Sequence, residues 1–120
     1  MIKKNITKLM KELGFPPHIK GYEYIRSAII LVLEDPKKIN MLTKVLYPSI
    51  AKIYDTTPSR VERAIRNAIE IAFERVNTEV IYELFGYTIR QDKGKPTNLE
   101  FIATIVDKIR LDNFDDDAKK

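Results

Sequence analysis

Apolar side chains recur at three- and four-residue spacing along most of this chain, the signature of helices with one buried face. Ile2, Ile6, Leu9, Met10 and Leu13 form one stripe of a helix over 2–13. Gly14 stands where a left-handed residue closes a helix, and Pro16-Pro17 prevent its continuation. Tyr22, Ile25, Ala28, Ile29, Val32 and Leu33 predict a second helix over 21–34. Asp35-Pro36 reads as a cap followed by proline at the first position of a short third helix, carrying Ile39, Leu42 and Val45. A helix over 48–54 follows, then the turn Asp55-Thr56-Thr57-Pro58 and a long helix over 58–75. Thr78 caps a helix over 79–85 that Gly86 ends, and Tyr87–Lys95 reads as irregular. Thr97-Asn98-Leu99-Glu100 has the spacing of a capping box and opens a last helix to about 110, with Phe101, Ile102, Ile105, Val106 and Ile109 inward.

The fold class that follows is all-α, a compact bundle of about six helices containing a helix-turn-helix. With 120 residues and 44% hydrophobic positions, one domain with its own core is expected. We place that domain at 1–111 and read 112–120 as an acidic tail, disordered. There are only four glycines, and the six prolines fall between the periodic segments. The absence of cysteine excludes disulfides, thiolate metal sites and a cysteine nucleophile. The longest apolar run, Ala28–Leu33, is far too short for a bilayer, and the N-terminus lacks a signal-peptide core. A cytoplasmic protein without a membrane partner is expected.

Charge changes the picture. The net charge is +4, but the tail holds four aspartates and two lysines, so the rest of the chain carries 19 basic against 13 acidic side chains. A basic body suits a polyanionic partner. The segment Ile50–Asn67 has the layout of a helix-turn-helix. Ala51 is the small residue needed where two helices cross, Ile50 and Tyr54 are its inward neighbours, Asp55 tolerates a left-handed turn, and Val61 is the apolar lock of the second helix. At 100° per residue, Val61, Ala64, Ile65, Ala68 and Ala72 face inward. Arg60, Glu62, Arg63, Arg66, Asn67 and Glu70 face outward. Arginine forks onto guanine, asparagine pairs with adenine and glutamate accepts from cytosine, so this arc has base-reading chemistry. The same arc also contains two i,i+4 ion pairs, and Glu62 has capping-box spacing from Ser59, so a merely solvated helix pair stays open on pattern alone.

Longer strings sharpen this. Thr43-Lys44-Val45-Leu46-Tyr47-Pro48, Ile50-Ala51-Lys52 and Thr57-Pro58-Ser59-Arg60-Val61-Glu62-Arg63-Ala64-Ile65-Arg66 closely resemble the effector domain of the sporulation stage-zero response regulators. So do Pro17-His18-Ile19-Lys20-Gly21-Tyr22, Leu84-Phe85-Gly86-Tyr87-Thr88, Lys95-Pro96-Thr97-Asn98 and Asp107-Lys108-Ile109-Arg110-Leu111, in chain order. The resemblance implies a helical domain that binds TGTCGAA-like elements in double-stranded DNA, often in tandem, and activates or represses transcription. It implies recognition through Ser59, Arg60, Glu62, Arg63 and Arg66. It also implies a contact with the polymerase sigma factor near Thr78, Val80, Tyr82 and Phe85, and a monomer that pairs on tandem sites. Asn67 departs from the histidine expected there and Phe73 from the tryptophan. Family members carry a receiver domain that these residues do not include; a shortened chain and a stand-alone paralog both fit. Base reading is therefore assigned to Arg60, Glu62, Arg63, Arg66 and Asn67, and backbone contact to Ser59, Lys52, Lys44 and Lys95. The alternative function is a protein-interaction module that meets a sigma factor or receiver domain without DNA.

Enzymatic chemistry finds no footing. His18 is the sole histidine and makes neither a dyad nor a metal cluster, so a structural place in the turn after Pro17 is expected. Lys93-Gly94-Lys95-Pro96 lacks phosphate-loop spacing. No cofactor or metal is expected.

Overall fold

A computed structural model describes residues 2–75, 78–85 and 95–118. Among them are six α-helices and no strand: α1 Ile2–Glu12, α2 Lys20–Glu34, α3 Tyr47–Ile53, α4 Pro58–Arg75, α5 Thr78–Phe85 and α6 Asn98–Ala118. The all-α bundle predicted from periodicity is the fold observed.

Helix ends follow local chemistry. Gly14 has φ +82, and two hydrogen bonds close α1 around it, from the Gly14 amide to Lys11 O and from the Phe15 amide to Met10 O. This is a Schellman closure, with Phe15 and Met10 both buried across it. Asp35 accepts from the Lys37 amide at 3.3 Å and launches a 3₁₀ turn, Pro36–Asn40. The single third helix expected over this stretch is instead this 3₁₀ turn followed by a π turn, Leu42–Leu46, leading into α3. Pro48 supplies a reason. Its ring would press on the carbonyl four residues back in an α-helical ladder, and widening to five-residue spacing relieves this. The Leu46 amide accordingly reaches Met41 O and the Tyr47 amide reaches Leu42 O.

The core is built from the predicted stripes. Ile6, Met10 and Leu13 of α1, Ile25, Ala28, Ile29 and Val32 of α2, and Val61, Ile65, Ala68, Ile69 and Ala72 of α4 are buried. From α6 come Phe101, Ile102, Ile105, Val106 and Ile109. Phe101 centres an aromatic cluster, 5.3 Å from Phe15, 5.9 Å from Phe85 and 6.3 Å from Phe73 between ring centroids. Each aromatic buries a large apolar area, so the cluster ties the turn after α1 to α4, α5 and α6.

Helix α4 also packs on α2 at Gly21, where the two backbones come so close that no β-carbon fits. Ala64 and Ala68 provide the matching flat surface on α4. The capping box at α6 forms as expected: the Thr97 amide donates to Glu100 Oε1 at 2.9 Å and the Glu100 amide to Thr97 Oγ1 at 3.1 Å. The helix does not stop near 110 but runs on to Ala118. No glycine or proline interrupts that stretch, and Lys108 pairs with Asp112 across one turn at 3.1 Å.

Candidate nucleic-acid interface

Helices α3 and α4 are joined by the tight turn that a helix-turn-helix requires. The Thr56 amide reaches back to Ala51 O at 2.9 Å, and Asp55 takes φ +53, as its position in the turn predicts. Among the described residues, Asp55 is the one non-glycine with positive φ. Pro58, with fixed φ and no amide hydrogen, opens α4 at the position where neither is a cost. That leaves Thr57 as the cap: its Oγ1 accepts from the Arg60 amide at 3.3 Å. The Ser59–Glu62 capping box therefore does not form. Glu62 instead receives Arg66 Nη1 at 2.5 Å.

The long helix sorts its side chains as its periodicity predicts. Val61, Ile65 and Ala68 are buried; Arg60, Arg63, Arg66 and Asn67 are exposed on the other side; Glu62 and Glu70 lie half-buried at the edge. Lys52 on α3, Ser59 at the start of α4 and Lys44 on the π turn are exposed as well. Among the described residues no acid engages Arg60 or Arg63, so both forks keep their donors for another partner. Lys95 is not free in the same way: its Nζ meets Glu70 Oε1 at 2.6 Å. Both ion pairs are largely in water and contribute little to stability.

Beside the pairs lies a cleft of about 540 Å³, lined by Thr43, Tyr47, Glu62, Arg66, Lys95 and Asn98 among others. Asn98 Nδ2 donates across it to Tyr47 Oη and to the main-chain oxygen of Glu62, each at 3.1 Å. Burial pushes the Tyr47 phenol up from its usual value of 10.0, and nearby Glu62 adds to this, while the Asn98 hydrogen bond and Arg66 oppose it. Sequence pattern pointed to neither Tyr47 nor Asn98 as part of this face. Their partners lie 51 and 36 residues apart in the chain, and no periodicity carries such contacts.

With this exposed cationic helix in place, the family match becomes decisive. The family described as Sporulation initiation factor Spo0A C terminal matches residues 6–109. The chain belongs to that family. The Spo0A C-terminal match begins at Ile6, in the buried stripe of α1, and ends at Ile109, in the buried stripe of α6, so it reaches into every α-helix described above. Membership makes this a DNA-binding regulatory domain, the effector part of a sporulation transcription regulator. Helices α3 and α4, with their tight turn, lie wholly within the matched Spo0A C-terminal residues.

Other predicted positions fall away from this face. Val80 packs half-buried against the core, and the side chains of Thr78 and Tyr82 lie outside the described residues. Phe85 is 3% exposed, with its ring 5.5 Å from Phe73 and stacked on Phe101, so it is packed into the core. His18 is exposed in the turn before α2. Among the described residues no group of three acidic or histidine side chains converges as metal ligands, and no helix is long and apolar enough to cross a membrane.

Proposed function

We propose that this chain is a sequence-specific transcription regulator that lays α4 in the major groove of TGTCGAA-like sites in double-stranded DNA. The observation that carries this reading is the separation of faces on α4. One face is packed into the core, while the other presents Arg60, Arg63, Arg66 and Asn67 to solvent. In this reading Arg60, Glu62, Arg63, Arg66 and Asn67 contact base edges, and Ser59, Lys52 and Lys44 hold the phosphate backbone. Lys95 joins them only by leaving Glu70. The reading unit is 1–111, and the acidic tail 112–120 lies outside it. The protein is a monomer in solution and pairs on tandem sites.

A second surface supports a protein contact. Leu9 of α1, Val80 and Leu84 of α5, and Leu111 of α6 border a groove of about 610 Å³ with Glu12, Glu83 and Asp107 at its edge. We assign any contact with the polymerase sigma factor to α5, where Val80 and Leu84 border this groove.

Fluorescence anisotropy on a TGTCGAA duplex and a scrambled duplex, each at two salt concentrations, tests the main reading. A preference of order 10³ or more for the cognate duplex is expected. Equal, strongly salt-dependent binding to both would reduce the face to a nonspecific basic surface. No binding to either would leave the protein-interaction module as the better account.

A further inference from the structure

The first residue of α6 touches the main chain of the helix that faces DNA. The amide of Asn98 has two hydrogens, and both are placed: one on Glu62 O in α4, one on Tyr47 Oη at the start of α3. Glu62 O belongs to the segment that carries the outward arginines, between Arg60 and Arg63. Tyr47 is 6% exposed, so its ring is fixed by the core. Asn98 is itself held by the reciprocal Thr97–Glu100 capping box. The same short segment grips α4 a second time, where Lys95 meets Glu70 at 2.6 Å. Glu62 and Glu70 are eight residues apart, about 12 Å along a helix axis. Of the two grips, the Asn98 bridge carries the positioning, because the Lys95–Glu70 pair is exposed and weak.

Rotation of α4 matters for reading bases. Productive contacts need side chains held within roughly 0.5 Å and 10–20°. Successive residues are set 100° apart around a helix, so a small turn of α4 carries Arg66 and Glu62 off their targets while leaving the charge of the face unchanged.

We propose that Asn98 is a positioning residue for DNA reading: its bridge between Tyr47 and the Glu62 carbonyl sets the rotation of α4, and so the aim of Glu62 and Arg66, without touching DNA. This inference rests on the base-reading role of α4 proposed above. It separates discrimination from affinity, because a loosened α4 keeps its cations and loses their register.

The test is anisotropy with wild type, Asn98→Ala, Arg66→Ala and the double variant, on the TGTCGAA and scrambled duplexes, with thermal melting of each variant alongside. Asn98→Ala is expected to lower the cognate-to-scrambled ratio roughly tenfold, the effect of one mismatched base pair, with scrambled binding unchanged. In the Arg66→Ala background most of that loss should disappear, which a general weakening of the fold would not produce. If Asn98→Ala does not fold, Tyr47→Phe keeps the ring in the core and removes one partner of the bridge, and a severalfold loss of the ratio is expected. An unchanged ratio in whichever variant folds, or equal losses on both duplexes, overturns the inference. A wild-type chain that does not discriminate sinks the reading beneath it, and the inference with it.

Discussion

The backbone of Gly21 faces the carbonyl of Ala64 so closely that a β-carbon on Gly21 would stand 2.2 Å from that oxygen and 2.7 Å from Ala68 Cβ. Two effects therefore oppose each other in Gly21→Ala. Within a helix the exchange gains about 0.5–1 kcal/mol of backbone entropy. Here the obstacle is main chain of α4, which cannot swing aside as a side chain would, and overpacking of this kind costs about 1–3 kcal/mol or more. The cost should win. Urea unfolding is expected to show a net loss of up to about 2 kcal/mol, together with weaker DNA binding as α4 is pushed away from α2. A variant as stable as wild type would mean that the two helices have room to spare.

Arg63 and Lys52 should separate base reading from backbone contact. Arg63→Ala is expected to cost about 1–3 kcal/mol of affinity for the cognate duplex and to relax preference at one base position. Lys52→Ala should weaken cognate and random DNA alike and flatten the salt dependence by about one ion. Binding measured over a salt series on both duplexes distinguishes these patterns. Equal loss on both duplexes for Arg63→Ala would place that side chain on phosphate.

Tyr47 gives the fold a dependence on alkaline pH. Its phenol is held above the usual value of 10.0 chiefly by burial, so the folded state favours the protonated form. That stabilisation is fully present below the unfolded value and is lost as pH rises through the folded one. The difference in urea stability between wild type and Tyr47→Phe should stay flat from neutrality to about pH 9. Above 10.0, wild type should fall more steeply than the variant. Parallel curves across that range would show that the phenol ionises as freely folded as unfolded.

Asp55 holds a left-handed conformation that most side chains resist. Asp55→Gly should leave the turn intact and raise stability by up to about 1 kcal/mol. Asp55→Val should cost about 1–2 kcal/mol and disturb the crossing of α3 and α4. Calorimetric melting of the two variants checks the sign. A stabilising valine would contradict the φ of +53.

These residues also mark what local pattern encodes. The bounds of α4, the left-handed Asp55, the closure at Gly14 and the Thr97–Glu100 box were all legible, because each depends on residues within one or two turns of one another. The outward arginines were legible too, since burial of Val61 and Ile65 dictates where Arg60 and Arg63 must point. Contacts made across the fold were not. Pattern gave no sign that Lys95 would meet Glu70, that Gly21 would admit α4, or that Asn98 would span Tyr47 and Glu62. The choice of Thr57 over Ser59 as cap was decided by Pro58, whose demand for the first helical position outweighs the capping-box spacing. The place of Phe85 was not legible either: its role came from resemblance alone, and its packing beside Phe101 depends on residues 16 apart in the chain.

The pairing of Arg66 with Glu62 and of Lys95 with Glu70 means that this face carries part of its own counterion shell in covalent form. A phosphate lattice must displace a tethered carboxylate to reach either cation, a small cost for pairs this exposed. A ligand that offers Glu62 a donor, as a cytosine amino group does, releases Arg66 in the same act. In the proposed reading, selectivity then comes as much from reluctance toward the wrong duplex as from attraction to the right one.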